Sequence, residues 1–322
     1  MQPIHVIRNA LVAGSAERSP AVLWALASLA LSMLLSSLGT SIANVGLPTL
    51  AQAFSASFQE VQWVVLAYLL AITTLIVGVG RVGDIIGRRR LLLAGIVLFS
   101  VASLLCGVAS TLGQLLAARA AQGCGAAIMI ALSMALVGEA VPQARTGSAM
   151  GLLGTMSAIG TALGPSLGGV LIAGFGWRAI FLVNVPLGLL TFLLARRHLP
   201  VDRRGPQTER AGFDTLGMLL LALTLAAYAL AMTMARSHFG PLNIALLLAA
   251  AIGAGFFVRV EARATAPLID LAIFRDPGLR AGLAMNALVA TVIMTTLVVG
   301  PFHLARALGL DAPFVGLAMS AG

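Results

Sequence analysis

Apolar residues run along this chain in blocks of about twenty, the length a helix needs to cross a hydrocarbon core roughly 30 Å thick. The blocks fall at approximately 22 to 46, 61 to 80, 91 to 110, 114 to 136, 149 to 172, 179 to 195, 214 to 235, 243 to 260 and 281 to 302. They predict nine membrane-crossing helices, and a tenth begins near Phe314. Connections such as Thr111 to Gly113 are too short for anything but a turn between antiparallel neighbours, and no low-complexity tract interrupts the pattern. The expected fold class is all-α integral membrane protein with no soluble domain. Residues 1–20 form an N-terminal tail, 21–195 a six-span bundle, 196–212 a basic linker and 213–260 two linker spans. Residues 261–322 hold a loop and the beginning of a second bundle.

Composition supports this pattern and excludes competing classes. The chain is 59% hydrophobic and 10% charged, against about 25% charged residues in a soluble domain. A net charge of +9 invites a nucleic-acid reading, but the basic residues are all Arg and lie between apolar runs, so no nucleic-acid partner is expected. With the N-terminus inside, the inward segments hold Arg8, Arg18, Arg81, Arg88, Arg89, Arg90, Arg145, Arg196, Arg197, Arg203, Arg204, Arg210, Arg259, Arg263, Arg275 and Arg280. Arg178, Arg236 and Arg306 fall outside and Arg119 inside the fourth span, so the positive-inside rule selects a cytoplasmic N-terminus. The apolar run after Arg18 is too long for a cleaved signal peptide and reads as a retained first span. Cys106 and Cys124 lie within apolar segments and offer neither a disulfide framework nor a metal site. No cofactor or metal is expected.

Three motifs depart from plain membrane helix. Between the second and third spans, GRVGDIIGRRRLLL carries Gly80, Gly83 and Gly87, which allow a tight turn, with Asp84, Arg88 and Arg89 as an acceptor and donors. Asp84 is suited to the positive N-terminus of a neighbouring helix. The motif reads as a gating loop; the plain alternative is a basic loop obeying the positive-inside rule. In the fourth span, LLAARAAQGCGAA sets Arg119 in apolar surroundings, with Gln122 and Gly123 on its face at i+3 and i+4. A central Arg costs roughly 2.5 to 3.5 kcal/mol on insertion scales, so it reads as a functional residue pointing into the bundle, unless it snorkels to the nearby outer interface. In the fifth span, Gly160, Gly164 and Gly168 form one groove at 100° per residue, Gly151 and Gly169 fall opposite, and Pro165 favours a kink. This helix is either a small-residue packing helix or one built to slide or rock. No acidic side chain lies well inside a predicted span, so proton coupling has few titratable candidates. The first span offers only Thr40, Ser41 and Asn44 before Pro48.

Taken together, GRVGDIIGRRR, RAAQGCGAA and the G-x8-G-x3-GP-x2-GG spacing of the fifth span resemble the major facilitator superfamily. SIANVGLP, QWVVLAYLLA, GWRAIFLVNVPLG, FDTLG and FVRVEARATAPLIDLAIFR are similar to its fourteen-span EmrB/QacA type of drug:proton antiporter. The resemblance implies two six-helix bundles with two spans between them, working by alternating access. It also implies export of amphipathic or cationic compounds by proton antiport from a bacterial inner membrane, with small amphipathic substrates, protons, the lipid bilayer and a periplasmic adaptor protein as candidate partners. Carried over by residue, Asp84, Gly87 and Arg88 belong to a cytoplasmic gate, and Arg119 and Gln122 to coupling and the cavity face. Gly164 and Pro165 belong to a hinge helix at the bundle interface, facing the tenth span, and Asn44, Trp63 and Tyr68 to the cavity wall. The chain departs from the family where an acidic residue is usual in the first span, having Leu38-Gly39-Thr40, and where Phe302-His303-Leu304-Ala305 replaces a run ending in YLQ. Both departures imply altered substrate or coupling.

The chain is expected to be C-terminally incomplete, with transport the property of its full-length form; the alternative is a non-transporting membrane remnant or a regulatory or scaffold protein. A membrane enzyme is disfavoured, because His5, His198, His238 and His303 are scattered and no paired carboxylates or nucleophile with a base occur.

Overall fold

Each apolar block folds as helix, because backbone groups surrounded by hydrocarbon must find their hydrogen bonds within their own segment. The computed structural model describes residues 20–202, 215–234, 240–263 and 276–307, with isolated positions beyond. The helices are α1 (Pro20–Ala53), α2 (Phe58–Ile86), α3 (Arg88–Val108), α4 (Leu112–Ala140), α5 (Thr146–Phe175), α6 (Ala179–Leu182), α7 (Asn184–His198), α8 (Thr215–Met234), α9 (Pro241–Glu261) and α10 (Pro277–Ala307). The expected N-terminal tail, the linker residues Arg203, Arg204 and Arg210, the loop containing Arg275 and most of the tenth span lie outside the described residues. Among the described residues, seven helical segments are long and apolar enough to cross a membrane, while α8 and α10 contain the shorter apolar stretches Leu219–Met232 and Pro277–Ile293.

Several helices overrun the predicted spans. Pro20–Ala53, at 34 residues, rises about 50 Å at 1.5 Å per residue, well beyond a hydrocarbon core. Polar ends remain helical because they are capped: before α2, Ser57 Oγ accepts from Glu60 N and Glu60 Oε2 accepts from Ser57 N and Oγ, a reciprocal capping box. The sixth predicted span divides at Val183 into α6 and α7, where buried Asn184 donates to the carbonyls of Ile180 and Phe181.

Within the first bundle, α1 packs against α5 and α7, α2 against α4, and α3 against α4 and α7. Helices α8 and α9 form an antiparallel pair beside α2, and α10 touches α1. The buried apolar residues form two clusters. One contains Leu29, Leu35, Tyr68, Ile96, Phe99 and Met129; the other contains Ile42, Leu47, Val64, Leu115, Trp177 and Phe181. Large apolar side chains face outward on the periphery, among them Val97, Val101, Leu104 and Val108 of α3. Such a face suits lipid, which is as apolar as the side chains themselves.

Candidate functional site

The fourth helix carries its one arginine two turns past its start. Thr111 caps α4 by accepting from Gln114 N at 3.3 Å, and Arg119 then falls on the side facing α1 and α2. Its guanidinium is fully buried. Nε donates to the Val64 carbonyl of α2 at 2.8 Å, and NH1 donates to the Gly39 carbonyl of α1 at 3.1 Å and to Gln122 Oε1 at 2.5 Å. Gln122 Nε2 passes the chain on to Ser103 Oγ of α3 at 2.7 Å, and Ser103 Oγ donates to the Phe99 carbonyl. Four helices are thus tied together at one buried cation. The snorkelling alternative does not hold: the side chain is turned inward, and its charge is shared with backbone dipoles and aromatic rings instead of interfacial water.

Those rings are placed by glycine. The guanidinium carbon lies 4.2 Å from the Tyr68 ring centroid and 5.8 Å from that of Phe181, a cation–π arrangement. Tyr68 is held by donating its hydroxyl to the Ser36 carbonyl at 2.7 Å. A Cβ at Gly123 would collide with the Tyr68 carbonyl oxygen and lie 2.8 Å from Ala71 Cβ, so Gly123 is what lets α2 approach α4. Gly125 does the same for α3, since a Cβ there would lie 2.7 Å from Phe99 N. The i+3, i+4 spacing revealed Gln122 and Gly123. Val64 and Ser103 left no comparable signal, the one acting through a backbone carbonyl and the other distant in sequence, while Gly39 was marked only as a departure from the family's usual acidic residue. Gly125 stands within the quoted motif, and its distinguishing feature is simply that it is a second glycine in a small-residue turn.

Of the residues expected on the cavity wall, Tyr68 joins this centre. Asn44 is buried on α1, where Nδ2 donates to the Thr40 carbonyl at 3.1 Å and Oδ1 has no partner. Trp63 is half-buried on α2. Neither is hydrogen-bonded to the Arg119 group.

The glycine groove of α5 is buried and occupied by α1. A Cβ at Gly160 would lie 2.5 Å from the Leu34 carbonyl oxygen, one at Gly164 2.5 Å from Ser41 Cβ and one at Gly168 2.5 Å from Val45 Cγ1. Both sequences ascend together, so the helices run parallel. The seam is stitched by Ser37 and Ser157 hydroxyls at 2.6 Å and by Ser41 Oγ donating to the Thr161 carbonyl at 2.6 Å. The resemblance implied the tenth span as partner of this helix; most of that span lies outside the described residues, and the groove itself is filled by α1. Helix α5 continues through buried Pro165, and Gly169 is also buried. Gly151 is exposed, and a Cβ added there would meet nothing within 4 Å.

The expected loop from Gly80 to Leu93 is almost entirely helix. A single residue, Gly87, separates α2 from α3, with φ 108°. Gly80 has open space around it, while Gly83 packs against Leu132. Arg88 donates through Nε to Asp84 Oδ1 at 2.9 Å and through NH1 to Glu139 Oε1 at 2.7 Å, and all three side chains are partly exposed. Asp84 pairs with Arg88 here. Asp202, beyond the end of α7, accepts from Arg89 N at 2.9 Å and Arg90 N at 3.2 Å and so caps α3. Arg89 NH2 donates to the Arg196 carbonyl at 2.5 Å. The Asp202 carboxylate would lie 2.5 Å from a Cβ at Gly87, so this glycine serves both conformation and space.

The family model of the Major Facilitator Superfamily matches residues 29–322. The chain belongs to the Major Facilitator Superfamily. It is 38% identical over 239 residues to the multidrug resistance protein Stp of Mycobacterium tuberculosis, covering 73% of this chain and 44% of Stp. It is 36% identical over 284 residues to the drug efflux pump JefA of the same species, covering 87% of this chain and 55% of JefA. The chain thus spans about half the length of these curated relatives. Among solved structures it resembles a bacterial homologue of the human lysosomal transporter Spinster in an inward-facing, occupied conformation, with TM-score 0.52, 18% identity and coverage of 94% of this chain and 74% of that one. The likeness shows the major facilitator fold, in an all-helical multi-pass membrane protein.

Proposed function

We propose that this chain supplies the first bundle and central helices of an exporter that moves amphipathic compounds out of a bacterial cell by alternating access, in exchange for protons. The Arg-rich ends then face the cytoplasm, and the membrane is the bacterial inner membrane. The observation that carries the reading is the Arg119 centre. A buried cation in an otherwise apolar bundle is expensive, and here it is held by groups from four helices, as a site that reports ligand occupancy to the whole bundle would be. The efflux functions in the names of Stp and JefA point the same way. On this reading Tyr68, with Asn44 and Trp63, lines the substrate path. The α1–α5 seam keeps the bundle a single moving body, and the Gly87 junction with Asp84, Arg88 and Arg89 forms the cytoplasmic gate.

Efflux of a panel of fluorescent amphipathic dyes from energised cells tests this, using the complete reading frame that holds the chain. Efflux stopped by an uncoupler and lost in Arg119→Ala is the expected result. Efflux that Arg119→Ala leaves unchanged overturns the site, and efflux indifferent to uncoupler removes proton coupling.

A further inference from the structure

We propose that Arg119 is the recognition point for an oxyanion on the transported molecule, so that the favoured cargo is an amphipathic anion. The inference rests on the efflux reading and assigns the charge that its central site accepts. It narrows the amphipathic or cationic cargo that the sequence resemblance implied to amphipathic anions.

A guanidinium has five N–H groups in a planar fork. Nε uses its one on Val64, and NH1 uses two on Gly39 and Gln122. NH2 is buried and has no hydrogen-bond partner. Both N–H groups of NH2 therefore stand unused in a buried guanidinium, one beside the engaged Nε–H and the other beside NH1, and each can donate a charge-assisted hydrogen bond to an oxyanion oxygen.

Charge leads to the same place. Arg88 has carboxylate partners in Asp84 and Glu139, whereas Arg119 forms no ion pair among the described residues. Its partners are two backbone carbonyls, an amide oxygen and the faces of two aromatic rings. These dipoles and quadrupoles soften the burial of the cation but leave its unit charge uncompensated, and a buried unpaired charge is among the least favourable features a fold can keep. An anionic cargo removes that imbalance on arrival, whereas a cationic one adds a like charge where screening is weak. Tyr68 and Phe181 lie against the guanidinium in this structure, so cargo reaches it only once these side chains move. Their rings then offer apolar faces to the body of an amphipathic anion.

Gly39 supplies the decisive variant. Its carbonyl already accepts from Arg119 NH1, and a Cβ built on it would lie 3.3 Å from both Tyr68 Oη and Phe99 Cζ, inside the same site. Gly39→Asp introduces a resident carboxylate into the site that holds Arg119, and Gly39→Asn introduces the same bulk without the charge.

The test compares fluorescein, an anion, with rhodamine 6G, a cation on the same xanthene framework, by binding to the purified full-length protein and by efflux from energised cells. The expected result is at least tenfold tighter binding and faster efflux of fluorescein. Gly39→Asp lowers that ratio at least tenfold and Gly39→Asn does not. Should Gly39→Asp fail to fold, Arg119→Gln serves in its place and lowers the ratio of binding affinities by the same measure. Equal or preferential handling of rhodamine 6G overturns the charge assignment while leaving the efflux reading intact, as does a ratio unmoved in folded Gly39→Asp or Arg119→Gln. Absence of efflux for both dyes overturns the efflux reading, and this one with it.

Discussion

Two arginines, Arg119 and Arg88, meet opposite surroundings in the same bundle. Arg88 sits at the α2–α3 junction with its side chain 33% exposed, between two carboxylates at 2.7 to 2.9 Å. Arg119 is fully buried, bonded to neutral oxygens and stacked on rings. Ion pairs in contact with water contribute little, typically under about 1 kcal/mol, because solvent competes for both partners. A charge in an apolar bundle is expensive whatever neutral groups surround it. The pairing therefore inverts a common intuition: the arginine with ideal ion pairs is the dispensable one energetically, and the arginine without any is the one whose retention calls for a function.

The sharpest way to break this contrast is to remove the buried charge while keeping its volume. Arg119→Met leaves the Val64 and Gly39 carbonyls with their own helical amides and fills the space with an apolar chain. Replacing buried charged groups by packed apolar ones is often neutral or stabilising by about 1 to 4 kcal/mol. The expected outcome is loss of dye efflux together with an unchanged or higher melting temperature in detergent. A strongly destabilised Arg119→Met would show that the arginine is a structural strut.

The next largest effect concerns the dry interior without any charge. At Gly164 a new side chain meets Ser41 Cβ at 2.5 Å and Ile42 N at 2.8 Å, so backbone would have to move. Gly164→Leu is expected to cost roughly 3 kcal/mol, the upper end for overpacking, and to lower the melting temperature sharply. Gly151→Leu on the same helix points into open space and should shift it little. Equal shifts for the two would mean that the α1–α5 seam is not a close contact.

How much of this was visible in the chain follows from the kind of information each feature uses. Helix existence was legible, because a run of twenty apolar residues has few other solutions. The groove of Gly160, Gly164 and Gly168 was legible as a face, since 100° per residue is fixed by helix geometry. Its neighbour was not, because α1 and α5 are joined by packing across 120 residues of sequence. Arg119, Gln122 and Gly123 announced themselves by local spacing, but the partners that make Arg119 a site are carbonyls of Val64 and Gly39, and any residue has a carbonyl. The basic segment after Gly80 looked like a loop because charge and glycine usually end a helix. The structure keeps it helical on both sides of Gly87, where Asp202, over a hundred residues later, completes the cap. No local pattern could pair those two.

That junction gives a smaller effect. Gly87 adopts φ 108° with the Asp202 carboxylate packed against it. Holding a non-glycine residue in such a region costs of order 1 to 3 kcal/mol, so Gly87→Ala should lower the melting temperature moderately. Asp202→Ala should remove the cap, worth about 1 kcal/mol, and the double variant should lose less than the sum, because the two residues share one contact. Strict additivity would separate them.

The smallest effect is also the one that tests the comparison from its wet side. Arg88→Ala removes pairs with Asp84 and Glu139 that remain 45% and 48% exposed. Its cost should stay below about 1 kcal/mol at low salt. It should shrink as ionic strength rises, because at 1 M salt the screening length falls to about 3 Å. Arg119 variants should show no such dependence, since the guanidinium is sealed from solvent and its partners are neutral. A melting-temperature difference between Arg88→Ala and the parent that persists undiminished from low salt to 1 M would mean that the junction is as dry as the bundle centre, and the distinction between the two arginines would then rest on their partners alone.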